Sequence, residues 1–499
     1  MKKCKCFFYA RHRQQTWDDG LTQTGRQETS AKGKLLLMRD WAFSSKMIRN
    51  VKKTELGLYL RGGICYNERR GISAPLHGTD GSCSAIRRID GKSRKVGIRM
   101  IHDSLQLHNI LIPNRVTLQP MEGCDCNSDG SPGELTVEKY RRAARSGAGL
   151  VWLEACAVCP EGRTNPRQMM LTPENLPAFR WLVQDLRETA LRECGIKPVF
   201  ILQLTHSGRQ SITPMIAYRH PLYEERRPVT DGHIVTDEYM DTLPALYAAS
   251  AKLAMEAGFD GVDVKSCHGY LFQELLSAFS REGRYGGSFE NRARLYLDCV
   301  RAVKAAIPEG FLLTTRLSVS DMVPSPYGFG TTEANELDFT EPDRLIARLI
   351  EEGVEILNVT IGNPYYNPHI NRPYRKGGYT PPEPPAEGLA RFVKVEKHIK
   401  ERFPTLTVVG SGLSYYRDDL MEQAEGQLTD GICDLVGFGR MWLAYPAFYR
   451  DYKEGKFTPK KCCLACSKCT ELMRAGQVSG CAVFHEYYRD LHRRVCGRS

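Results

Sequence analysis

The chain has 499 residues, enough for one large barrel or for two domains, and its 42% apolar and 25% charged content excludes collagenous and compositionally disordered classes. The formal charge of +11 is unevenly spread: of 69 Lys/Arg and 58 Asp/Glu, residues 1–100 hold 22 and 8, leaving 47 and 50 for the remainder, so the body offers no basic surface for nucleic acid. No apolar run nears the roughly 18 residues needed to cross a bilayer, and Cys6–Ala10 is too short for a signal-peptide core. The expected location is the cytoplasm.

In chain order, residues 1–103 show no sustained period. They read as a basic N-terminal extension, weakly structured or incidental, without the regularly interleaved aromatics of a strand-binding arm. From 104 to 455 β-branched apolar stretches alternate with amphipathic ones. Eight strands are predicted at Val116–Met121, Leu150–Ala155, Pro198–Leu204, Gly261–Ser266, Leu312–Ser318, Glu355–Thr360, Thr407–Gly412 and Leu435–Arg440. The helices that follow them are placed at Thr136–Arg145, Asn175–Cys194, Asp241–Gly258, Glu290–Ile307, Pro342–Gly353, Gly388–Phe403, Arg417–Leu428 and Pro446–Gly455. In the third, Leu243, Leu246, Tyr247, Leu253, Ala254 and Ala257 share one face, and Gly258 closes it. Eight units over some 350 residues predict an α/β fold, a (β/α)₈ TIM barrel. A doubly wound open sheet has the same alternation and is the alternative, but no GxGxxG turn joins a strand to a helix.

A barrel gathers its chemistry at the carboxyl ends of its strands. The third strand carries Gln203 and leads to His206-Ser207-Gly208-Arg209, the fourth leads to Lys265, His268 and Tyr270, and the fifth carries Arg316. The seventh ends in Gly410-Ser411-Gly412 and the eighth in Gly439-Arg440, the two places where such barrels commonly hold a phosphate. Glycines there admit backbone N–H groups to phosphate oxygens and Arg440 adds a charge-assisted pair, although tight turns alone would also use glycine. Lys265, His268 and Tyr270 combine a cation, a titratable ring and a phenol, a set able to polarise a carbonyl and supply a proton. A lone strand-end histidine is more often structural, and the neighbours of His268 are what lift it.

Residues 456–499 form a cysteine-rich segment. Five of the eighteen cysteines fall between Cys462 and Cys481. Cys463, Cys466 and Cys469 at three-residue intervals with the distant Cys481 suit a [4Fe–4S] cluster, with Cys462 as a spare. Zinc takes four thiolates too, more often from two separated CxxC pairs, and buried free thiols are the third reading.

The ordered series Pro113-Asn114-Arg115 with Pro120-Met121, Gln203 with His206–Arg209, His268-Gly269-Tyr270-Leu271 and Tyr285-Gly286-Gly287-Ser288 through Arg292 resembles the old yellow enzyme, or NADH:flavin oxidoreductase, family from about Leu105 to Lys453. The resemblance implies FMN across the barrel mouth. Gln203 and Arg316 would meet its pyrimidine side, Pro120 and Met121 its ring, and Gly410, Ser411, Gly412, Gly439 and Arg440 its phosphate. It further implies hydride transfer to an activated C=C bond of a small-molecule substrate, with Lys265 and His268 holding the substrate oxygen and Tyr270 donating the proton. NAD(P)H would be the donor, directly or through a partner protein, since relatives carrying such a cluster continue into a nicotinamide-binding half and this sequence ends at Ser499. No nucleic acid or membrane partner is expected, and a homo-oligomer is left open. Two other readings remain: a flavin dehydrogenase of a small amine-like substrate, and a non-catalytic electron-transfer subunit. The family's usual histidine is replaced by Lys265, and Gly283 stands where aspartate is common, with Arg281 retained.

Overall fold

A computed structural model describes residues 99–497, so the basic leader up to residue 98 lies outside the described residues. A short antiparallel hairpin opens it, β1 (Leu105–Leu107) and β2 (Ile110–Ile112), turning at His108 with φ 49°. Eight parallel strands then close a barrel: β3 (Val116–Leu118), β4 (Leu150–Ala157), β5 (Val199–Thr205), β6 (Gly261–Val264), β7 (Leu312–Ser318), β8 (Ile356–Thr360), β9 (Thr407–Gly410) and β10 (Leu435–Phe438). Closure comes from β10 against β3, with Val436 opposite Val116 and Phe438 opposite Leu118. All eight predicted strands are present, and each is followed by helix, as the alternation required.

Helix boundaries moved where a cap decided them. The helix expected from Asp241 starts at Asp237, because the Thr236 side chain accepts from the Tyr239 N–H and two acidic residues occupy the first turn. Its buried face holds Leu243, Tyr247 and Ala254 as read, and Gly258 takes φ 93° just beyond it. The helix expected over Pro446–Gly455 is present as Phe448–Lys453, and a separate short helix, Arg440–Ala444, precedes it, with Pro446, which lacks a backbone donor, between the two.

The two ends of the barrel differ. At the amino end Leu150, Trp152, Val199, Ile201, Leu312 and Ile356 form an apolar cluster, and Leu105, Leu107 and Ile110 of the hairpin pack against it as a plug. Further up, polar groups enter the barrel axis. Trp152 Nε1 and Gln203 Nε2 donate to Asp263 Oδ2 at 2.9 and 2.6 Å, and the Arg316 N–H donates to its Oδ1 at 2.7 Å. Beyond the barrel, Lys468–Arg474 and Glu486–Val495 are helical and pack on each other through Leu472, Tyr488 and Leu491. This segment is anchored to the barrel: Cys462 and Cys463 belong to the main core, and the Ser479 N–H donates to the Gly123 carbonyl at 2.7 Å. Among the described residues no helix is long and apolar enough to cross a membrane.

Candidate active site

The carboxyl ends of the strands surround a cavity of about 760 Å³. Its floor is set by Gln119, whose side-chain amide reaches β8 and the end of β9: Nε2 donates to Ser411 Oγ at 2.6 Å, Asn358 Oδ1 at 3.1 Å and the Gly410 carbonyl at 3.3 Å. Its carbonyl accepts from Trp442 Nε1 at 3.0 Å, which fixes the turn leading to Pro120 and Met121 on the cavity wall. A Cβ at Gly437 would lie 2.4 Å from Gln119 Nε2, so that position admits only glycine if the amide is to keep its place.

At one end of the cavity lie Ser411, Gly412, Gly439 and Arg440, from the seventh and eighth strand ends as expected. Gly412 has φ 85°, a conformation that only glycine takes at little cost. Gly410 stands one residue behind the wall, where a side chain would press on Glu396 Oε2 at 3.1 Å and Gln427 Oε1 at 3.3 Å. Arg440 donates from Nη2 to the Pro373 carbonyl at 2.8 Å, and its Nη1 is buried without a partner. Arg372 joins it from the long loop after β8, its Nε also buried and unpartnered. Burial, then the neighbouring Arg440, pulls the Arg372 guanidinium down to about 10. Two crowded, incompletely bonded guanidiniums beside glycine turns are the environment a phosphate would satisfy. This fits the phosphate of FMN.

Toward the middle lie Gln203 and Arg316, both lining the cavity. Arg316 is buried with Nε unpartnered, and burial lowers its pKa. Lys265, His268 and Tyr270 line the same cavity. The Lys265 ammonium lies 3.7 Å from the centroid of the Tyr270 ring, a cation–π contact, and burial lowers its pKa from the ordinary lysine value. His268 takes φ 67°, which turns its ring into the cavity, and its Nε2 is buried without a partner. Burial, then Arg316 and Lys265, hold its pKa well below 6.5, so the ring is neutral and one nitrogen can carry a donor proton. Burial pushes the Tyr270 phenol well above its usual value, keeping its proton in place.

The motif His206–Arg209 supports this loop from behind. Gly208 abuts the Leu271 backbone, where a Cβ would lie 2.7 Å from the nitrogen, and Arg209 pairs with buried Glu274 at 2.5 Å. Gly283, at φ 92°, faces Asp237, which already binds Arg281 at 2.8 Å; a carboxylate at 283 would crowd it.

Sequence reasoning missed several lining residues. Gln119 and Glu122 flank the predicted Pro120 and Met121, and adjacency was the available signal. Tyr365, Arg372 and Arg227 come from long aperiodic loops and gave none. Cys469 and Arg474 reach the cavity from the cysteine segment, a contact only the fold reveals. In all, six arginines and Lys265 line the cavity against one carboxylate, Glu122, and among the described residues none of the seven cations forms a salt bridge.

Of the cysteines expected as ligands, Cys469 lines this cavity, and Cys463, Cys466 and Cys481 lie close enough to it or to one another for their charges to interact. Burial pushes the Cys463 thiol up to about 11 and raises that of Cys481, with charge on Cys469 and Cys481 adding to the first and on Cys469 and Cys466 to the second. Left-handed residues Ala465 and Ser467 wind the loop tightly between them. Cys462 points into the core, with burial pushing it up to about 12, as suits a spare thiol. Among the described residues no three His, Cys, Asp or Glu side chains converge on a point where one metal ion would sit. A cubane makes a different demand, since each of its thiolates bonds a separate iron and the four must surround a volume.

Comparison with known proteins follows this geometry. An NADH oxidase of Thermoanaerobacter brockii is 28% identical over 370 residues, 72% of this chain and 52% of that protein. A cinnamate reductase of Clostridium sporogenes is 25% identical, with 77% and 57% covered, so the chain spans little more than half of these two relatives. An NADPH dehydrogenase of a Geobacillus strain is 30% identical, with 70% and 92% covered. Among solved structures, a 2-naphthoyl-CoA reductase has a TM-score of 0.64 at 18% identity, covering 78% of this chain and 58% of that one. A histamine dehydrogenase from Rhizobium has 0.59 at 17% identity, covering 77% and 52%, and both show likeness of fold. The profile of the NADH:flavin oxidoreductase / NADH oxidase family matches residues 101–458, and the chain belongs to that family.

Proposed function

We propose that the protein is an FMN-dependent oxidoreductase that reduces an activated C=C bond of a small molecule, with NAD(P)H as the ultimate donor. The observation that carries this is that one cavity is lined both by incompletely bonded guanidiniums beside glycine turns and by Lys265, His268 and Tyr270. Ser411, Gly412, Gly439, Arg440 and Arg372 would hold the FMN phosphate, Gln203 and Arg316 the pyrimidine, and Pro120 and Met121 the ring. FMN, when bound, supplies hydride to the substrate carbon. Lys265 and neutral His268 bind the substrate carbonyl oxygen, where negative charge grows as the bond is reduced, so both donors act most strongly in the transition state. Tyr270, kept protonated by burial, gives its proton to the other carbon. Burial, reinforced by the charges of Arg316 and Lys265, keeps that imidazole from charging and so preserves it as a donor.

Cys463, Cys466, Cys469 and Cys481 would hold a [4Fe–4S] cluster that relays single electrons, and Cys469 already lines the cavity. The opposite direction, oxidation of an amine, meets a wall of seven cations and one carboxylate that repels an ammonium substrate. The test is anaerobic purification with flavin, iron and sulfide analysis, followed by NAD(P)H-driven reduction of a panel of enones. Stoichiometric FMN with enone turnover supports the reading. A protein that takes up no FMN on reconstitution refutes it.

A further inference from the structure

The charge of the cavity goes beyond what FMN requires. Six positive charges remain after Glu122 is set against the seven cations, and a phosphate monoester offsets about two of them. Arg372, Arg440 and Arg474 influence one another at the phosphate end, and Arg316 lies by the pyrimidine positions. Three cations are left elsewhere: Lys265, Arg227 and Arg167. Glu122, whose Oε1 accepts from Thr164 Oγ1 at 3.0 Å and Asn165 Nδ2 at 3.2 Å, acts on Lys265, Tyr270 and Tyr365, but it brings one negative charge against the seven cations. Asp263 is below Lys265 in the barrel and is bonded to Gln203, Trp152 and the Arg316 backbone.

Arg227 is the informative one. It is half-buried at the cavity, and its hydrogen bonds, from Nη2 to the carbonyls of Ser211 and Ile212 at 2.7 and 3.3 Å, leave the other guanidinium donors free. Its charge acts on Tyr365, whose hydroxyl faces that of Tyr270, and Tyr270 in turn lies under Lys265. Tyr365 is 41% exposed, so this row of two phenols runs from the buried reactive end to the outside. A cation stands at each end of it. Arg209, the other cation near Arg227, is already neutralised by Glu274.

Resting on the flavin reading above, we infer that the substrate carries an anionic group at its far end, a carboxylate or a phosphate, which Arg227 binds at the mouth while the conjugated carbonyl rests on Lys265 and His268. A half-desolvated guanidinium with unused donors is costly alone and gains charge-assisted hydrogen bonds when such a group arrives. Arg167, whose Nη2 is spent on the Gly476 carbonyl at 2.8 Å, adds positive potential on the same wall.

The experiment uses FMN-loaded protein and three matched aryl enones that differ only in the distal substituent: carboxylate, its methyl ester and a phosphate monoester. Binding is read by titrating each into the oxidised enzyme and following the flavin absorption band, and turnover is measured separately. The acid or the phosphate should bind about ten-fold more tightly than the ester, by a margin that shrinks as salt is raised. Whichever of the two binds better assigns the source of the anion. Arg227→Gln should collapse the preference to within about two-fold, and Arg227→Lys should retain part of it, which separates charge from packing. Equal binding of all three, or a preference untouched by Arg227→Gln in a variant of unchanged melting temperature, overturns the inference. Failure of every enone to turn over would instead refute the reductase reading, and the titration would still decide the anion.

Discussion

The amino and carboxyl ends of this barrel are built from opposite materials. At the amino end an apolar cluster is sealed by a hairpin through Leu105, Leu107 and Ile110, with Arg115 Nε and Thr117 Oγ1 the buried polar atoms left without a partner near it. At the carboxyl end Arg316, Arg440, Arg372 and His268 each bury a nitrogen that bonds to nothing in the protein. Burying unpaired polar groups costs stability, so the second end survives on the first. The contrast separates residues that hold the fold from residues that await a ligand, and it sets the direction of each substitution below.

The largest effect is expected at the sealed end. Trp152 is fully buried there, and Trp152→Ala removes a large ring and strands its partner Asp263 Oδ2 with one donor fewer. Loss of about 3–5 kcal/mol is expected in urea unfolding. A loss under 1 kcal/mol would break the comparison. At the open end the signs reverse. Lys265→Met should lower kcat/KM for enone reduction about 10²- to 10³-fold, the range for removal of one transition-state donor, while the melting temperature holds or rises. A stability loss matching that of Trp152→Ala would mean Lys265 is structural.

The barrel was legible because its signals are local. Each strand is a short apolar run and each helix a 3–4 period, and Val116, Leu150 and Leu312 need no knowledge of their neighbours to be read as buried. Site residues on strand ends, such as Gln203, Lys265 and Arg316, inherited that legibility, because topology assigns strand ends to one face. Arg227, Tyr365 and Arg372 did not. They sit in loops whose course is set by tertiary packing, and nothing in their spacing distinguishes them from solvated side chains. The hairpin before the first strand carries an alternating pattern, but two three-residue strands are too short to separate from a loop by pattern alone.

A middle case lies behind the phosphate cradle. Glu396 is fully buried, accepts the Ser411 N–H at 2.6 Å, and has no basic partner; burial pushes it up to about 8. Its Oε2 and Gln427 Oε1 both crowd Gly410 and are otherwise unpartnered, an arrangement that a protonated carboxyl joins and a carboxylate opposes. Because the folded pKa is raised above the ordinary 4.5, the folded protein holds the proton more tightly than the unfolded chain. The stability from this group is therefore complete below about pH 4.5 and is lost as pH rises through about 8. Glu396→Gln keeps a donor for Gln427 without the proton linkage, and should flatten the pH dependence of unfolding between about 5 and 8, gaining on the order of 1–3 kcal/mol relative to wild type at pH 9. An unchanged slope in urea titrations across that range would show that the carboxyl is ionised throughout.

A contrast between adjacent residues tests the plug itself. In β2 the side chains alternate, Leu111 outward at 52% exposure and Ile112 inward and fully buried. Ile112→Ala should cost about 2–5 kcal/mol, since it opens a cavity in the apolar cluster under the strands. Leu111→Ala, one residue away and equally apolar, should cost less than about 1 kcal/mol, because half of that side chain already lies in water and no enclosed cavity is left. The pair therefore separates burial from hydrophobicity at adjacent positions of one short strand. Equal losses at the two sites would mean that the hairpin's outer face is covered by another part of the molecule, and the sealed end would then be thicker than β1 and β2.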